Sequence, residues 1–553
     1  MNIPDHWDQT VDFVAVGSGL GGVTAALAAH DAGLSTVIVE KASKLGGVCA
    51  YSGGEVFVPG NHKMVAEGAP DSDEAAWAYL SFLAGGYADD KLARKLFAQG
   101  RRAAQWLGEN AGVPWKIIKG FPDYHHPHAP GTAAHGRYLE VELFDGKSLG
   151  PWQRKTWKMS PHMPPGITHD ELFAWGSISC ALTWDYSVMG ARIGADQRGF
   201  GPGMMGWFLK AALVDREIPA LVGTAVRELA HKDGKVVGVR CEKPDGSDFW
   251  IRANKGVLLS IGGYDHNKEI AKFYEGLPDW ESACQPTVEG DNIMLGGEVG
   301  ASLAGVPPYN LGMFFGYQIP GEQHEGKPLW RASWEGGYPH ALWVNRDGKR
   351  FCDESFYRQY LPTVHSWDGV KQQHPNYPPY LIFDSQYRAK YFFATFLPGQ
   401  PIADGMVQEA ETPGALADKL GIDRANFEAS LAHFNSYADG PDDPEFGRGR
   451  YPWAAMMVGD RTRPNPNMGP LNKPPYYGIA LKPVGVGINA VGLRTDDFGR
   501  VLHVRGRPID GLYACGNSAA ALDTGAGYQS GLSNLRGMTW GWIAGHHAAG
   551  VSV

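Results

Sequence analysis

The chain has 553 residues, of which 43% are hydrophobic and 20% charged, and its formal net charge is −9. This length is too great for one hydrophobic core, so we expect two domains. The acidic balance, without a run of lysine or arginine, argues against nucleic acid as a partner. Glycine is abundant at 74 residues, about twice the usual share of roughly 7%, which indicates tight turns and close approaches of backbone to a ligand.

The cysteines and the N-terminus bear on the compartment. The six cysteines lie far apart and form no C-x-x-C pair, so we expect no disulfide framework, zinc ribbon or attached haem. The segment MNIPDHWDQT has neither a basic region nor an apolar core, and no apolar run reaches about 18 residues. We therefore expect no export signal, no transmembrane segment and a cytoplasmic location; peripheral contact with a membrane stays open.

The first forty residues predict one βαβ unit. An apolar run at 11–16 is typical of a buried parallel strand, a G-x-G-x-x-G motif follows at 17–22, and an alanine-rich helix is predicted over 23–31. The next strand ends at Glu40, which can accept a hydrogen bond from a ribose, while the glycines let backbone approach a pyrophosphate. This unit predicts dinucleotide binding by Gly17, Gly19, Leu20, Gly21, Gly22, Glu40 and Lys41.

The same glycine spacing recurs at 201–206 in RGFGPGMMGWFLKAAL. No strand is predicted before it, and no acidic residue closes a second strand at the required distance. We interpret this copy as the start of a helix packed close to its neighbours.

Two further glycine-rich segments favour a flavin. KASKLGGVCAYSGGEVFVPGN follows Glu40, and GLYACGNSAAA lies at 511–521. Together with the first motif, they resemble the fumarate reductase/succinate dehydrogenase superfamily of FAD enzymes, which includes the 3-ketosteroid dehydrogenases. The resemblance implies FAD contacts in these segments, in the strand pair around Val226 and in the C-terminal helix. The additional residues are Gly46, Gly47, Ser52, Gly53, Gly54, Val226, Gly262, Gly516, Asn517, Ser533 and Leu535.

The resemblance also bears on how FAD is held and on the domains. Some relatives attach FAD to a histidine after the G-G turn, but no histidine lies between Gly46 and Gly54, so we expect noncovalent FAD. Residues 304–472 are richer in aromatics and poorer in glycine turns. We predict an α/β fold with a Rossmann-like FAD-binding domain at 1–303 and 473–553 and an inserted α+β cap domain at 304–472. The insertion at 148–176 is interpreted as a lid, a partner surface or a packed surface excursion.

The loop GAGYQSGLSN carries the substrate prediction. In fumarate-reducing relatives an arginine occupies the position of Tyr528 and holds a carboxylate. An arginine fork suits a carboxylate, whereas a phenol and a hydroxyl suit a neutral carbonyl oxygen. We therefore predict that Tyr528, with Ser530 or the backbone N–H of Gly531, binds a ketone. The next helix, predicted from Asn534, would direct its N-terminal dipole at the flavin.

Removing a proton next to a ketone requires a base. ALWVNRDGKRFCDESFYRQYL resembles the cap segment V-N-x-x-G-x-R-F-x-N-E, with Asp353 in place of the asparagine. In the family, the proton-transfer residue lies four or five positions further on, at Tyr357 or Arg358, and spacing leaves both open. The chemistry favours Tyr357, because a neighbouring cation such as Arg358 lowers a phenol pKa.

A third phenol, Tyr124, lies in GFPDYHHPHAPG, which resembles the D-Y-Y-P segment of Δ1-dehydrogenases. By this resemblance Tyr124 relays the proton. His125, His126 and His128 beside it lack a carboxylate or cysteine at ligand spacing, so we predict no metal site.

The sequence predicts an FAD-dependent dehydrogenase that introduces a C=C bond next to a ketone. The resemblance implies a 3-ketosteroid or similar bulky apolar substrate, hydride transfer to flavin N5 and an external electron acceptor. Tyr-x-Ser-Gly in the loop favours Δ4 placement, whereas D-Y-H-H-P favours Δ1, so the position stays open. Two alternatives remain: an ene-reductase that uses Arg358 as proton donor, and a flavoprotein subunit that passes electrons to a partner.

Overall fold

The computed structural model describes residues 3–69, 71–308 and 313–553. Over these ranges the strands group into six sheets. The strands are β1 Gln9–Val16, β2 Thr36–Glu40, β3 Val56–Phe57, β4 Trp115–Ile117, β5 Tyr138–Val141, β6 Phe144–Asp145, β7 Gln197–Arg198, β8 Ala220–Val222, β9 Ala225–Lys232, β10 Lys235–Glu242, β11 Asp248–Leu259, β12 Glu281–Ser282, β13 Leu303–Gly305, β14 Met313–His324, β15 Lys327–Ala332, β16 Ala341–Val344, β17 Tyr380–Asp384, β18 Gln408–Ala410, β19 Tyr476–Ala480, β20 Lys482–Gly485, β21 Val491–Leu493, β22 Arg500–Leu502 and β23 Pro508–Ala514.

The helices are distributed along the whole chain. They are α1 Leu20–Asp31, α2 Asp73–Ala84, α3 Asp90–Asn110, α4 His169–Ala174, α5 Tyr186–Gly194, α6 Phe200–Leu213, α7 Lys268–Glu275, α8 Asp291–Glu298, α9 Tyr357–His365, α10 Ser385–Lys390, α11 Pro413–Leu420, α12 Arg424–Tyr437, α13 Pro452–Val458 and α14 Leu532–Ala548.

The largest sheet carries the predicted βαβ unit. Its parallel strands lie in the order β8-β2-β1-β11-β23, and β10, β9 and β22 extend it with antiparallel pairs. All five residues of β2 are buried, as expected of a parallel strand covered on both faces. The predicted α/β class with a Rossmann-like sheet is confirmed.

Glycines let α1 and α14 approach each other closely. A Cβ on Gly545 would lie 2.5 Å from the Ala25 carbonyl oxygen, and one on Gly541 would lie 2.3 Å from the Gly21 carbonyl oxygen. Both distances are too short for real atoms, so these positions need glycine. The contact places the N-termini of α1 and α14, and the loops before them, at the same end of the parallel strands.

The middle of the chain adds two four-stranded sheets. One has the order β16-β17-β19-β18 and the other β12-β20-β14-β15. Antiparallel pairs join β17 to β19 and β14 to β20, so strand pairs cross the predicted boundary at residue 472. The three domain ranges stay predictions.

Two sequence details need correction. Helices α1 and α14 begin at Leu20 and Leu532, three and two residues before the predicted starts at 23 and 534. A short strand, β7, does precede the second glycine motif, but it pairs antiparallel with β6 outside the large sheet. Gly201 packs at the start of α6, and its N–H donates to the Ser52 carbonyl at 3.0 Å. The motif is therefore a tight helix packing site.

The insertion at 148–176 is anchored by both side chains and backbone. Leu149 and Ile167 are fully buried. His162 Nε2 lies 2.7 Å from the Ala283 carbonyl, and Ser160 Oγ donates to the Tyr51 carbonyl at 2.7 Å. The segment therefore packs on the domain beneath it.

Candidate active site

A groove begins where β1 turns into α1. Gly17 has φ +95°, and a Cβ there would overlap the Ser260 carbonyl. Gly19 caps α1, and no atom lies within 4 Å of the Cβ it would carry, so its backbone faces open space. Gly47, with φ +56°, lies across from it, and its Cβ would be 2.9 Å from Gly19 Cα. Backbone donors at a helix N-terminus next to open space suit a pyrophosphate.

The groove has about 860 Å³ of empty space and extends from β2 to the start of α14. Predicted cofactor residues that line it are Gly17, Gly19, Leu20, Gly21, Glu40, Lys41, Gly47, Val226, Gly262, Gly516, Asn517 and Ser533.

The other predicted cofactor residues do not line this groove. Gly54 packs against the Phe200–Gly201 backbone, Gly22 against the Gly17 carbonyl, and Gly46 against Ala50. Ser52 Oγ caps its own turn by donating to the Cys49 carbonyl at 2.8 Å. Gly53 lies beside Glu55 and His169, and Leu535 beside Gly100. These six residues hold the turns and helix that form the walls.

The acidic residue at the end of β2 already binds backbone. Glu40 Oε2 accepts from the Ser18 N–H at 2.9 Å, and Oε1 accepts from the Ala42 N–H at 2.8 Å. A carboxylate has about four acceptor sites, so Glu40 can also accept from a ribose hydroxyl. Lys41 contacts Glu289 and Asp291, at 2.7 and 2.9 Å from Nζ, and closes this end of the groove.

Gln285 is a groove residue that the sequence motifs did not indicate. It is 3% exposed, lines the groove, and its Nε2 has no hydrogen-bond partner among the residues described. A buried unpaired amide costs about 1–3 kcal/mol, so this donor fits a polar ligand atom. The unpaired Gln285 amide and the open space at Gly19 together suit an extended dinucleotide.

Three segments far apart in sequence bring the predicted catalytic phenols together. The hydroxyls of Tyr357 and Tyr124 form a short hydrogen bond, and both residues are buried. The Arg358 guanidinium lies 3.9 Å from the ring centroid of Tyr357 and 5.2 Å from that of Tyr528. Arg358 is therefore part of the same cluster as the three phenols.

Aromatic side chains enclose this cluster. The rings of Phe314 and Tyr357 stack with centroids 4.8 Å apart, and Trp334 packs on Phe314 at 4.9 Å. Trp453 lies 4.5 Å from the ring of Tyr124. A polar centre with apolar planar walls suits a ligand with one polar atom on a flat apolar body.

Burial controls the acidity of the phenols. It raises the pKa of Tyr357 to about 12, although the Arg358 charge and the Tyr124 hydrogen bond act in the opposite direction. Burial raises the pKa of Tyr124 and Tyr528 well above the usual range. All three phenols are therefore protonated at neutral pH, and Tyr357 is the one held closest to ionisation by a neighbouring cation.

The C-terminal loop reaches this cluster from the groove side. Gly531, with φ +75°, caps α14, and its carbonyl accepts from the Phe57 N–H at 3.2 Å. Ser530 Oγ donates to Glu55 Oε1 in a short hydrogen bond. Ser530 and Gly531 thus join Tyr528 to the end of the groove that Ser533 lines.

Gln529 anchors the loop, and this role was not predicted from the sequence. Its Oε1 accepts from the Tyr124 N–H at 3.1 Å and from the Tyr79 hydroxyl, and its Nε2 donates to the Tyr138 hydroxyl. Gln529 is fully buried. In the sequence, the only indication of this role was a polar residue next to Tyr528. The partners of Gln529 come from distant segments, so its hydrogen bonds could not be predicted.

His125, the residue directly after Tyr124, packs among aromatic rings. His125 lies edge-on to Phe82 and Phe356, with ring centroids 5.1 and 5.2 Å away, and burial lowers its pKa to about 4. No group of three potential metal ligands was found among the described residues. Over the same ranges, no helix is long and apolar enough to span a membrane.

The fold and site define a dinucleotide-binding oxidoreductase whose groove leads to a buried phenol cluster. The FAD binding domain family matches residues 12–533. The chain belongs to this family and is an FAD-dependent oxidoreductase.

Relatives and a solved structure agree with this placement. The chain is 31% identical to a 3-oxosteroid 1-dehydrogenase of Mycobacterium tuberculosis, with 98% of both chains covered. It is 30% identical to a 4-oxocyclohexanecarboxylate 2-dehydrogenase of Sinomonas cyclohexanicum, covering 98% of this chain and 93% of that one. It matches 3-ketosteroid Δ1-dehydrogenase from Sterolibacterium denitrificans in complex with 1,4-androstadiene-3,17-dione with a TM-score of 0.87 and 28% identity, covering 98% and 100%. The predicted resemblance to the 3-ketosteroid dehydrogenases, enzymes acting on CH–CH groups, is confirmed.

Proposed function

We propose that the protein removes two hydrogen atoms from adjacent carbons next to a ring ketone, with a 3-ketosteroid as substrate and the new double bond at the Δ1 position. The observation that carries the proposal is the contact between the Tyr357 and Tyr124 hydroxyls under the Arg358 guanidinium. The relatives named for 3-oxosteroid 1-dehydrogenation support the substrate and the position.

FAD, when bound, supplies the two-electron acceptor for a hydride. The FAD pyrophosphate would be held by Gly17, Gly19 and Gly47, and its ribose by Glu40. The part of FAD nearest the phenols would contact Asn517 and Ser533. The position of these residues in the lining of the groove supports the proposed roles. The aromatic walls would hold the apolar body of the ketone.

The phenols take two different roles in this proposal. Tyr528 donates a hydrogen bond to the ketone oxygen, with the Gly531 N–H as second donor, and so stabilises the negative charge that develops there. Tyr357 accepts the proton from the α-carbon, and Tyr124 holds the Tyr357 hydroxyl in position. The Arg358 charge favours the ionised form of Tyr357.

The test is an anaerobic screen of the purified holoprotein. Saturated and Δ4-unsaturated 3-ketosteroids, 4-oxocyclohexanecarboxylate and fumarate are mixed in turn with oxidised or reduced protein, flavin absorbance is followed, and products are identified by mass spectrometry and NMR. We expect a 3-ketosteroid to bleach the oxidised flavin and lose two hydrogens at C1 and C2. Rapid reoxidation by fumarate alone would instead favour an ene-reductase with Arg358 as proton donor. Steady turnover with an artificial acceptor would exclude a subunit that requires a protein partner.

A further inference from the structure

Glu55 is an acidic residue in the site to which the proposal above gives no role. Its side chain is 12% exposed. One oxygen, Oε1, accepts from Ser530 Oγ. The other, Oε2, is buried and has no hydrogen-bond partner in the described part of the chain. The Glu55 charge also raises the pKa of Tyr357 and Tyr528, so it faces the phenol cluster.

Hydroxyl groups connect Glu55 to the base. Ser530, which donates to Glu55, also lies close enough to Tyr124 to lower the pKa of the Tyr124 phenol. Tyr124 in turn bonds to the Tyr357 hydroxyl. Each of these groups can donate one hydrogen bond while accepting another. One hydrogen bond joins Tyr357 to Tyr124 and another joins Ser530 to Glu55, so these four residues define a line from the base to the carboxylate.

Such a line resolves a difficulty with a phenol as base. A buried tyrosine with a pKa of about 12 carries its own proton at neutral pH. It can accept a proton from carbon only if it releases its own at the same time. Glu55 is the carboxylate at the end of the line, and an ionised carboxylate has two acceptor oxygens and no proton of its own, so it has a place for the released proton.

Behind Glu55 lies a second buried pair. His169 Nε2 is 3.7 Å from Glu55 Oε2, and His169 Nδ1 is 2.9 Å from Glu140 Oε2. Lys116 Nζ, which is part-exposed, lies 3.3 Å from Glu140 Oε1. A Cβ on Gly53 would overlap Glu55 Oε2 and lie 3.3 Å from His169 Nε2, so glycine there leaves room for the approach of the two side chains.

We propose that Glu55 is the terminal acceptor of the α-proton, acting through Ser530 and Tyr124 without touching the ketone; this inference rests on the proposed function. The α C–H bond breaks and its proton binds the Tyr357 oxygen. The Tyr357 proton moves to Tyr124, that of Tyr124 to Ser530, and that of Ser530 to Glu55. The β-hydrogen would leave with its electron pair as a hydride, for which bound FAD would be the acceptor, and the remaining α C–H pair would form the double bond.

The test uses the holoprotein and Glu55→Gln, whose amide oxygen still accepts from Ser530 but takes no proton. Flavin reduction is measured anaerobically in single turnovers with a 3-ketosteroid that bleaches the wild type. General acid–base groups contribute about 10²–10⁴-fold, so we expect about a hundredfold slower reduction. Glu55→Asp should recover most of it. Binding of the enone product, measured by the flavin spectrum, should be unchanged.

The pH profile separates proton transfer from structural support. Wild-type reduction should slow on the acidic side of the pH profile, and Glu55→Gln, which takes no proton, should lack this acidic limb. The charged or titratable groups facing Glu55 are His169, Tyr357 and Tyr528, with Glu140, Asp170 and Lys116 behind His169. His169→Gln should shift the limb and keep it, because Glu55 remains.

Two further readouts keep the inference testable. Dithionite-reduced protein cannot dehydrogenate a saturated ketone, so deuterium from D₂O should enter the α-position through the wild type and not through Glu55→Gln. Ser530→Ala breaks the line from the other side, and the double variant should be no slower than the slower single one. If Glu55→Gln does not retain FAD, the rate of flavin reduction and the deuterium exchange are measured with Ser530→Ala instead.

The outcomes are distinct. If the wild type is bleached by the ketone and Glu55→Gln reacts within about threefold of it with the acidic limb and the exchange intact, the role of Glu55 is wrong and the proposed function stands. If no ketone bleaches the wild type, both are wrong.

Discussion

The dinucleotide groove and the phenol cluster adjoin each other but are specified in different ways. The groove depends on backbone shape at short spacings, as at Gly17 and Gly19. The cluster depends on side chains more than 160 residues apart, with Tyr124 hydrogen-bonded to Tyr357 and Tyr528 reached through Arg358. Changes in the first should therefore affect cofactor binding and stability, whereas changes in the second should affect the reaction and leave the cofactor bound.

The largest effect is expected for Tyr357→Phe. The variant keeps the stacked ring but loses the proton-accepting hydroxyl, so flavin reduction by a 3-ketosteroid should slow about a thousandfold, within the range of 10²–10⁴ for general acid–base groups. Stopped-flow absorbance measures the rate, and the flavin content should equal that of the wild type.

The matched control is Tyr360→Phe, which removes a buried phenol one turn further along α9. It should react within a few-fold of the wild type. Equal losses in both variants would show that the helix is merely sensitive to substitution.

Tyr528→Phe should have the next largest effect. Loss of one donor to a developing oxyanion costs about 3 kcal/mol, or roughly a hundredfold in rate. Because the bond strengthens as charge develops on the oxygen, kcat should fall more than KM rises. A change in KM alone, measured in steady state with an artificial acceptor, would instead indicate a role in binding the substrate body.

Gly17→Ala tests the groove side of the comparison. Residues forced to positive φ cost about 1–3 kcal/mol, and here the added Cβ would also overlap the Ser260 carbonyl. We expect a lower Tm and weaker FAD retention, measured by calorimetry and by flavin content after dialysis.

Gly33→Ala is the control for backbone strain. Gly33 has φ +90° with no atom within 4 Å of its would-be Cβ, and it does not line the groove. Its Tm should fall, but FAD should stay bound. Equal FAD loss in both variants would contradict a specific role for Gly17.

The smallest effect is a pH dependence of stability through His169. Burial opposes the charged form of His169, but Glu140 and Glu55 act more strongly and raise its pKa. Because the pKa of His169 is higher in the folded than in the unfolded state, its charged form stabilises the protein. This contribution is complete below the unfolded-state pKa of about 6.5, and it is lost as the pH rises through the folded-state pKa. The Tm difference between wild type and His169→Gln should therefore shrink as the pH rises. A difference that grows would contradict the raised pKa.

The sequence was most informative about the groove. Gly17, Gly19 and Glu40 lie within one βαβ unit, and local spacing dictates their geometry. Gln285 was missed because no motif surrounds it, and its role depends only on where the chain folds back. Six predicted glycine-segment and helix residues, Gly54 among them, pack in the walls beside the groove, since spacing does not say which side of a turn faces a ligand.

The cluster was predictable only through the resemblance to a family. Tyr124, Tyr357 and Tyr528 were each found in a recognisable segment, but their mutual contacts are tertiary. Spacing left Tyr357 and Arg358 as alternatives, and the structure places both in one cluster. Glu55 lies in the glycine-rich segment that indicated a flavin. Its place beside the phenol cluster is seen only in the structure, through its hydrogen bond with Ser530.

The most direct test of the central claim uses a 3-ketosteroid labelled with deuterium at the α- or the β-carbon in anaerobic single turnovers. If the buried phenols remove the α-proton while FAD takes the β-hydride, the ketone bleaches the flavin, both labels slow the reaction, and the α-label is lost from the steroid to water. An unbleached flavin, or a product that retains the α-label, would contradict the claim.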